Sequence, residues 1–205
     1  MILRWSPTSP FVRKVVVMMK EKGIEDQIKK EKSNPLSAQD RAATPSPLGQ
    51  IPCLITDNGD VIYDSPVIIE YLDTVFDGPT MLPPAGEPRW KALRRQALAD
   101  GMIASLVFCF VENLKKPEKR SKGLFAHNKA IVLNGVSSLQ TEVSEFRNHI
   151  DIGIISIGVA LSFVNQTFPA ESWHQDYIEI GEWFDDFSQR SSMKETTLID
   201  VSEFH

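Results

Sequence analysis

The chain has 205 residues, 42% of them hydrophobic and 24% charged, and a formal net charge of -5. These proportions suit a soluble chain with a sizeable core and exclude a disordered or fibrous repeat sequence. The acidic balance leaves no basic footprint for a phosphate backbone, so nucleic acid is not an expected partner.

The N-terminus lacks the charged and apolar regions of a secretory signal. The two cysteines, Cys53 and Cys109, lie in apolar surroundings and read as reduced thiols, so a cytoplasmic location is expected. The run IDIGIISIGVALSFV at 150–164 is interrupted by Asp151 and is too short to span a bilayer. It reads as a buried core helix, and no membrane partner is expected.

In chain order, residues 2–5 (ILRW) form a short strand, followed by Ser9 at an N-cap and Pro10 at the first helical position. Phe11, Val12, Val15, Val16 and Met19 recur at spacings of three and four and define one apolar face, which Gly23 terminates. Residues 26–32 (DQIKKEK) predict a weakly patterned edge strand, and SAQDRAAT a short polar helix ending before Pro45. IPCLIT and DVIY are strands joined by DNG, a hairpin signal. DSPVIIEYLDTVF then gives Ser65 as N-cap, Pro66 at the first helical position, and Val67, Ile68, Tyr71, Leu72 and Val75 on one face.

The stretch DGPTMLPPAGEP holds four prolines and two glycines in twelve residues and reads as a linker. Beyond it every signal is helical: WKALRRQALADGMIASLVFCFVENL, a helix through about 149, the apolar helix near 151–165, and another around 175–190. The expected organisation is an α/β domain over 1–77, a linker over 78–88 and an all-helical domain over 89–205. The charged loop KKPEKRSKG is expected to be a solvated connection.

Ser9 stands where a strand hands over to a helix. Free backbone N–H groups and the helix dipole favour negative charge there, beside a small hydroxyl donor. A bound thiol, mostly protonated at neutral pH with a pKa of about 8.5, is a candidate anion; each unit of lowering corresponds to about 1.4 kcal/mol. Capping without chemistry is the competing reading.

Ile51 precedes Pro52 at the start of a strand. A cis bond there lets the Ile51 backbone face outward and hold a peptide in strand-like fashion. Asp64 and Ser65 lie at a second helix start, able to meet an amine and a carboxylate.

Taken in order, SPTSPFVRKV, SPLGQIPCL and YDSPVIIEYL, followed by a Pro-rich linker and a helical half, resemble the cytosolic glutathione S-transferases, specifically bacterial members with an active-site serine. The resemblance covers the first 80 residues well and the helical half in outline. It implies a thioredoxin-like N-terminal domain, an all-α C-terminal domain, glutathione as co-substrate, a small electrophile as second substrate, no metal, a homodimer and a detoxification role.

Carried over by position, the resemblance makes Ser9 the donor to the glutathione sulfur and Ile51, before an expected cis-Pro52, the clamp on the cysteinyl part. It assigns Asp64 and Ser65 to the γ-glutamyl end and Gln50 to nearby polar contacts. Phe11 and Ile103, joined by Trp5, are the expected walls of the electrophile pocket. SPFV occupies the place where thioredoxin-like oxidoreductases carry Cys-Pro-x-Cys, which disfavours dithiol chemistry.

Two departures from the family pattern stand out. Ser46-Pro47 replaces a frequent Asn-Pro, and Asp151 lacks a reciprocal capping partner at Ile154. His127, His149, His174 and His205 show no metal-ligand spacing. The alternatives are a non-catalytic glutathione-binding or interaction protein with the same fold, and a glutathione-dependent thiol transferase or reductase, which normally has Cys at position 9.

Overall fold

In the computed structural model, which describes residues 1–146 and 150–199, the opening run becomes strand β1 (Ile2–Trp5). It is followed by helix α1 (Pro10–Lys22), β2 (Lys29–Lys32), α2 (Ala38–Ala43), β3 (Cys53–Ile55), β4 (Val61–Ile62) and α3 (Ser65–Val75). The four strands form one sheet in the order β2-β1-β3-β4. β1 runs parallel to β2 and antiparallel to β3, and β3 runs antiparallel to β4. This thioredoxin-like sheet carries α1 and α3, whose buried Val15, Met19, Ile68 and Leu72 join Leu3 and Leu54 in its core.

The local signals act as expected where they concern the backbone. Ser9 caps α1 with φ -97°, ψ 118°, and Gly23 ends it at φ 75°, a left-handed conformation that costs glycine little. The β3–β4 turn closes through Thr56 N–H to Asp60 O at 2.9 Å and Gly59 N–H to Thr56 O at 3.1 Å. β2, KKEK, owes its strand conformation to pairing with β1, and its lysines keep an exposed sheet edge from recruiting another strand.

Two expectations shift. The N-cap of α3 is Asp64, and Ser65 is already helical; the Asp64 carbonyl accepts the Ile68 N–H at 3.0 Å, which moves the start of the hydrogen-bond ladder back by one residue. The apolar stripe expected of α1 is also too narrow, because Arg13, Lys14 and Lys22 on its polar side are buried as well.

The chain divides into two compact units, Met1–Pro84 with the segment from Ser191, and Ala85–Arg190. The second unit is all-helical: α4 (Glu87–Leu114), α5 (Lys122–Glu142), α6 (Ile152–Thr167), α7 (Trp173–Asp176) and α8 (Ile178–Ser188). α5 stops at Glu142 and continues as a 3-10 turn over Val143–Glu145, shorter than the helix to 149 that the sequence suggests; residues 147–149 lie outside the described residues. The helix expected around 175–190 is two, broken at Tyr177.

α6 is the buried helix of this unit, capped by the Asp151 carboxylate, which accepts the Ile154 N–H at 2.9 Å. Gly153 lets it approach α4: a Cβ there would lie 2.7 Å from the Ala92 carbonyl oxygen. By length and composition α4 is also the one helix among the described residues that could cross a bilayer, yet α5 and α6 both pack against it. A short helix α9 (Ser191–Lys194) follows, and with it the chain returns to the first unit, against α1.

Candidate active site

The register of the sheet gathers three separate stretches at one end. Arg4 pairs with Cys53 and Leu54 with Ile62, so one or two further steps set Trp5 opposite Pro52 and Pro52 opposite Asp64. The turn leaving β1, the Ile51-Pro52 pair entering β3 and the start of α3 therefore share the C-terminal end of β1. That is where an α/β unit opens helix N-termini to a ligand.

The Ser6–Ser9 turn is held by its own hydroxyls. Ser6 Oγ and Thr8 Oγ1 lie 2.8 Å apart, and the Thr8 and Ser9 N–H groups donate to Ser6 Oγ and Ser6 O, each at 3.3 Å. Ser9 is 8% exposed; its Oγ accepts the Val12 N–H at 3.3 Å and its carbonyl the Arg13 N–H at 2.9 Å. Among the described residues no acceptor takes its hydroxyl proton. A ligand atom at this helix end thus meets an O–H donor whose oxygen is already oriented by the helix.

The Ile51–Pro52 bond is cis, as is Tyr63–Asp64. Pro52 is buried and Ile51 half-buried, and no backbone hydrogen bond among the described residues engages Ile51. Asp64 is exposed and caps α3 through its backbone, without a side-chain cap bond, while Ser65 is 1% exposed. Gln50 is exposed. Phe11 is half-buried, with Lys14 Nζ 6.0 Å from its ring centre, and Trp5 is half-buried with Lys30 Nζ 5.6 Å from its own. Ile103 is fully buried on α4, in the other unit.

Two features escape the sequence reading. Ser46-Pro47-Leu48-Gly49 is a tight turn that sets the approach to Ile51: the Gly49 N–H donates to Ser46 O at 2.9 Å and the Leu48 N–H to Ser46 Oγ at 3.3 Å. A Pro at the second and a Gly at the fourth position are its legible signal. The Ser46 backbone also hydrogen-bonds the Cys53 thiol, whose pKa is pushed up chiefly by burial, so Cys53 is a core residue and a poor nucleophile.

The second feature has no local signal. Arg13, 4% exposed, donates to Met193 O at 2.9 Å and to Thr196 Oγ1 at 3.2 Å, and the Ile199 N–H donates to Pro7 O at 3.2 Å. Burial pushes the Arg13 guanidinium down to about 10, still charged at neutral pH. The C-terminal segment thereby ties down the turn that presents Ser9.

Among the described residues no group of three or more His, Cys, Asp or Glu is placed to hold a metal. His127 is exposed and His174 lies 3.8 Å from Asp185, while His149 and His205 are outside the described residues.

Residues 8–75, which include Ser9, the Ile51-Pro52 pair and the start of α3, match the family model described as the glutathione S-transferase N-terminal domain. A crystal structure of a glutathione transferase family member from Pseudomonas fluorescens Pf-5, with bound S-(propanoic acid)-glutathione, is 35% identical, covers 98% of this chain and 100% of its own, and superposes with a TM-score of 0.89. The chain belongs to the glutathione transferase family.

A second structure of a Pseudomonas fluorescens Pf-5 family member, with bound glutathione, gives 34% identity, coverage of 97% and 99%, and a TM-score of 0.90. The uncharacterized GST-like protein YibF of Escherichia coli (strain K12) is 27% identical over 194 residues, 93% of this chain and 95% of its own. The glutathione transferase architecture, a thioredoxin-like N-terminal domain plus an all-helical C-terminal domain, accounts for the split between the sheet-bearing and the helical unit.

Proposed function

We propose that this glutathione transferase binds glutathione at the C-terminal end of β1 and activates its thiol through Ser9. The observation that carries the reading is the Ser9 hydroxyl, which accepts from the Val12 N–H and keeps its own proton uncommitted among the described residues, at the N-terminus of α1. The glutathione-bound Pseudomonas structures support it.

In this reading the Ile51 backbone N–H and C=O pair with the cysteinyl part of glutathione, as an added strand would. Asp64 meets the α-amine, and Ser65 with the α3 backbone meets the α-carboxylate of the γ-glutamyl end; Gln50 contributes nearby polar contacts. The thiol loses its proton to solvent. The Ser9 O–H and the helix dipole then stabilise the thiolate, lowering its pKa from about 8.5 toward neutrality at about 1.4 kcal/mol per unit, a scale that one charge-assisted hydrogen bond supplies. The sulfur attacks an electrophilic carbon, forming the S–C bond as the leaving group departs with its electron pair. Half-buried Phe11 is the proposed contact to that apolar electrophile, whereas Ile103 is fully buried within the helical unit and packs in its core.

The same reading implies a cytoplasmic homodimer. Exposed Leu48, Val67 and Val75 on the first unit support a covered face, and light scattering in solution tests it.

Ser9→Ala tests the catalytic role directly. The expected outcome is a loss of about 10²-fold in conjugation rate at pH 7, the scale for removing one preorganised donor, with calorimetric glutathione affinity within about threefold of wild type. The thiolate absorbance of bound glutathione should titrate at higher pH. Unchanged turnover at neutral pH sinks the role of Ser9, and binding without turnover across chlorinated aromatics, epoxides and isothiocyanates identifies a non-catalytic binder instead.

A further inference from the structure

The charged connection between α4 and α5 is more than a solvated loop. It folds around a cavity of about 270 Å³ lined by Asn113, Pro117, Arg120, Lys122 and Phe125, all within the helical unit. The Arg120 guanidinium is fixed against the C-terminal end of α4, donating through Nε to Lys115 O at 2.9 Å and through Nη2 to Asn113 O at 2.7 Å. Three of its five N–H groups have no partner among the described residues.

The apolar wall is equally preset. The Phe125 ring stands edge-on to Phe168, centroids 5.9 Å apart, and the Cys109 thiol donates to the Phe125 carbonyl. The carboxylates nearby do not neutralise the site. Glu112 is buried and already engaged by Lys115 Nζ and the Ser121 N–H, and exposed Glu118 is outnumbered in the loop by Lys116, Lys119, Arg120 and Lys122, in a chain whose net charge is -5.

We propose that this cavity is a second ligand site, separate from the glutathione site, for a small organic anion: a carboxylate, sulfonate or phosphate on a compact apolar body. The anionic head pairs with Arg120 and Lys122 and accepts from the Asn113 amide, while the body lies between Pro117 and Phe125. At about 30 Å³ per water the volume holds roughly nine waters, which matches an anion of about ten non-hydrogen atoms. A ligand of that size binds with a Kd on the order of 1 mM. Anionic lipid headgroups share this head chemistry; the aromatic wall at Phe125, preset by Phe168, favours a compact soluble anion with an apolar body.

The test is an amide-detected NMR titration of the full chain with phenyl phosphate. Saturable shifts at Asn113, Arg120, Lys122 and Phe125 are expected. Arg120→Ala and Lys122→Ala should each weaken binding about tenfold, the scale of one charge-assisted hydrogen bond. Lys116→Ala, off the cavity wall, should bind as wild type, and saturating glutathione should displace nothing.

Any of four results overturns the proposal. The two cavity variants titrate like wild type; glutathione displaces the probe; or inorganic phosphate gives the same shifts at the same concentration, leaving the apolar wall without a role. In the fourth, phenyl phosphate moves no cavity amide while phosphatidylglycerol vesicles sediment the protein in an Arg120-dependent way, which makes the patch a lipid-surface contact.

Discussion

Replacing Ile199 with proline deletes the one backbone N–H that the C-terminal segment donates to the Pro7 carbonyl, at 3.2 Å, two residues before Ser9. Pro7 is half-buried, so water replaces that donor only in part, and the net loss is about 1 kcal/mol. Segment fraying absorbs it locally, so the thermal midpoint should fall by no more than about 2–4 °C for a chain of this size. If the tie positions the Ser9 turn, the same 1 kcal/mol appears in the transition state as about a fivefold drop in kcat/KM for glutathione conjugation, together with faster hydrogen exchange at the Ser9 amide. Ile199→Ala, which keeps the N–H, is the control and should retain near wild-type activity. Equal activity of the proline variant and wild type refutes the positioning role, and equal loss in both variants assigns the effect to the side chain instead.

Lys22 and Asp73 form a buried pair at 2.8 Å, and the Asp73 carboxylate also accepts the Met81 and Leu82 N–H groups that open the linker. Asp73→Ala strands the lysine charge and two backbone donors, so urea unfolding should show a loss of about 3–5 kcal/mol, with part of it recovered in the Lys22→Met/Asp73→Leu double variant. In the helical unit, hydrogen bonds from Arg94 hold the Glu142 carboxyl below its ordinary 4.5. A depressed carboxyl stabilises the fold fully above its unfolded pKa and loses that contribution as pH falls through the folded one, so stability should decline below about pH 5. Glu142→Gln should flatten this decline and cost about 1 kcal/mol at pH 7, read by urea midpoints across pH.

The legible parts of the fold are those written in neighbouring residues. Ser9-Pro10 and Gly23 bound α1, DNG closes the hairpin, and Asp151 caps α6, because each is a hydrogen bond or a φ angle within a few residues of its cause. The start of α3 is misplaced by one position since Asp64 and Ser65 are both competent caps, and the choice between them follows from where β4 ends. KKEK carries no strand pattern of its own and becomes one through the edge it pairs with.

Of the site, the sequence by itself determined the chemical types: a serine at a helix start, an X-Pro pair entering a strand and an acidic-hydroxyl pair at a second helix. Only the tertiary structure decided that they meet at one end of the sheet, since this follows from the β1–β3 and β3–β4 register, a relation between residues tens of positions apart. It also decided that Arg13, Lys14 and Lys22, polar by every local criterion, are buried, and that residues after Ser191 return to hold the Ser9 turn. Those outcomes depend on which distant surfaces remain to be covered once the sheet has formed, and no window of neighbouring residues encodes that.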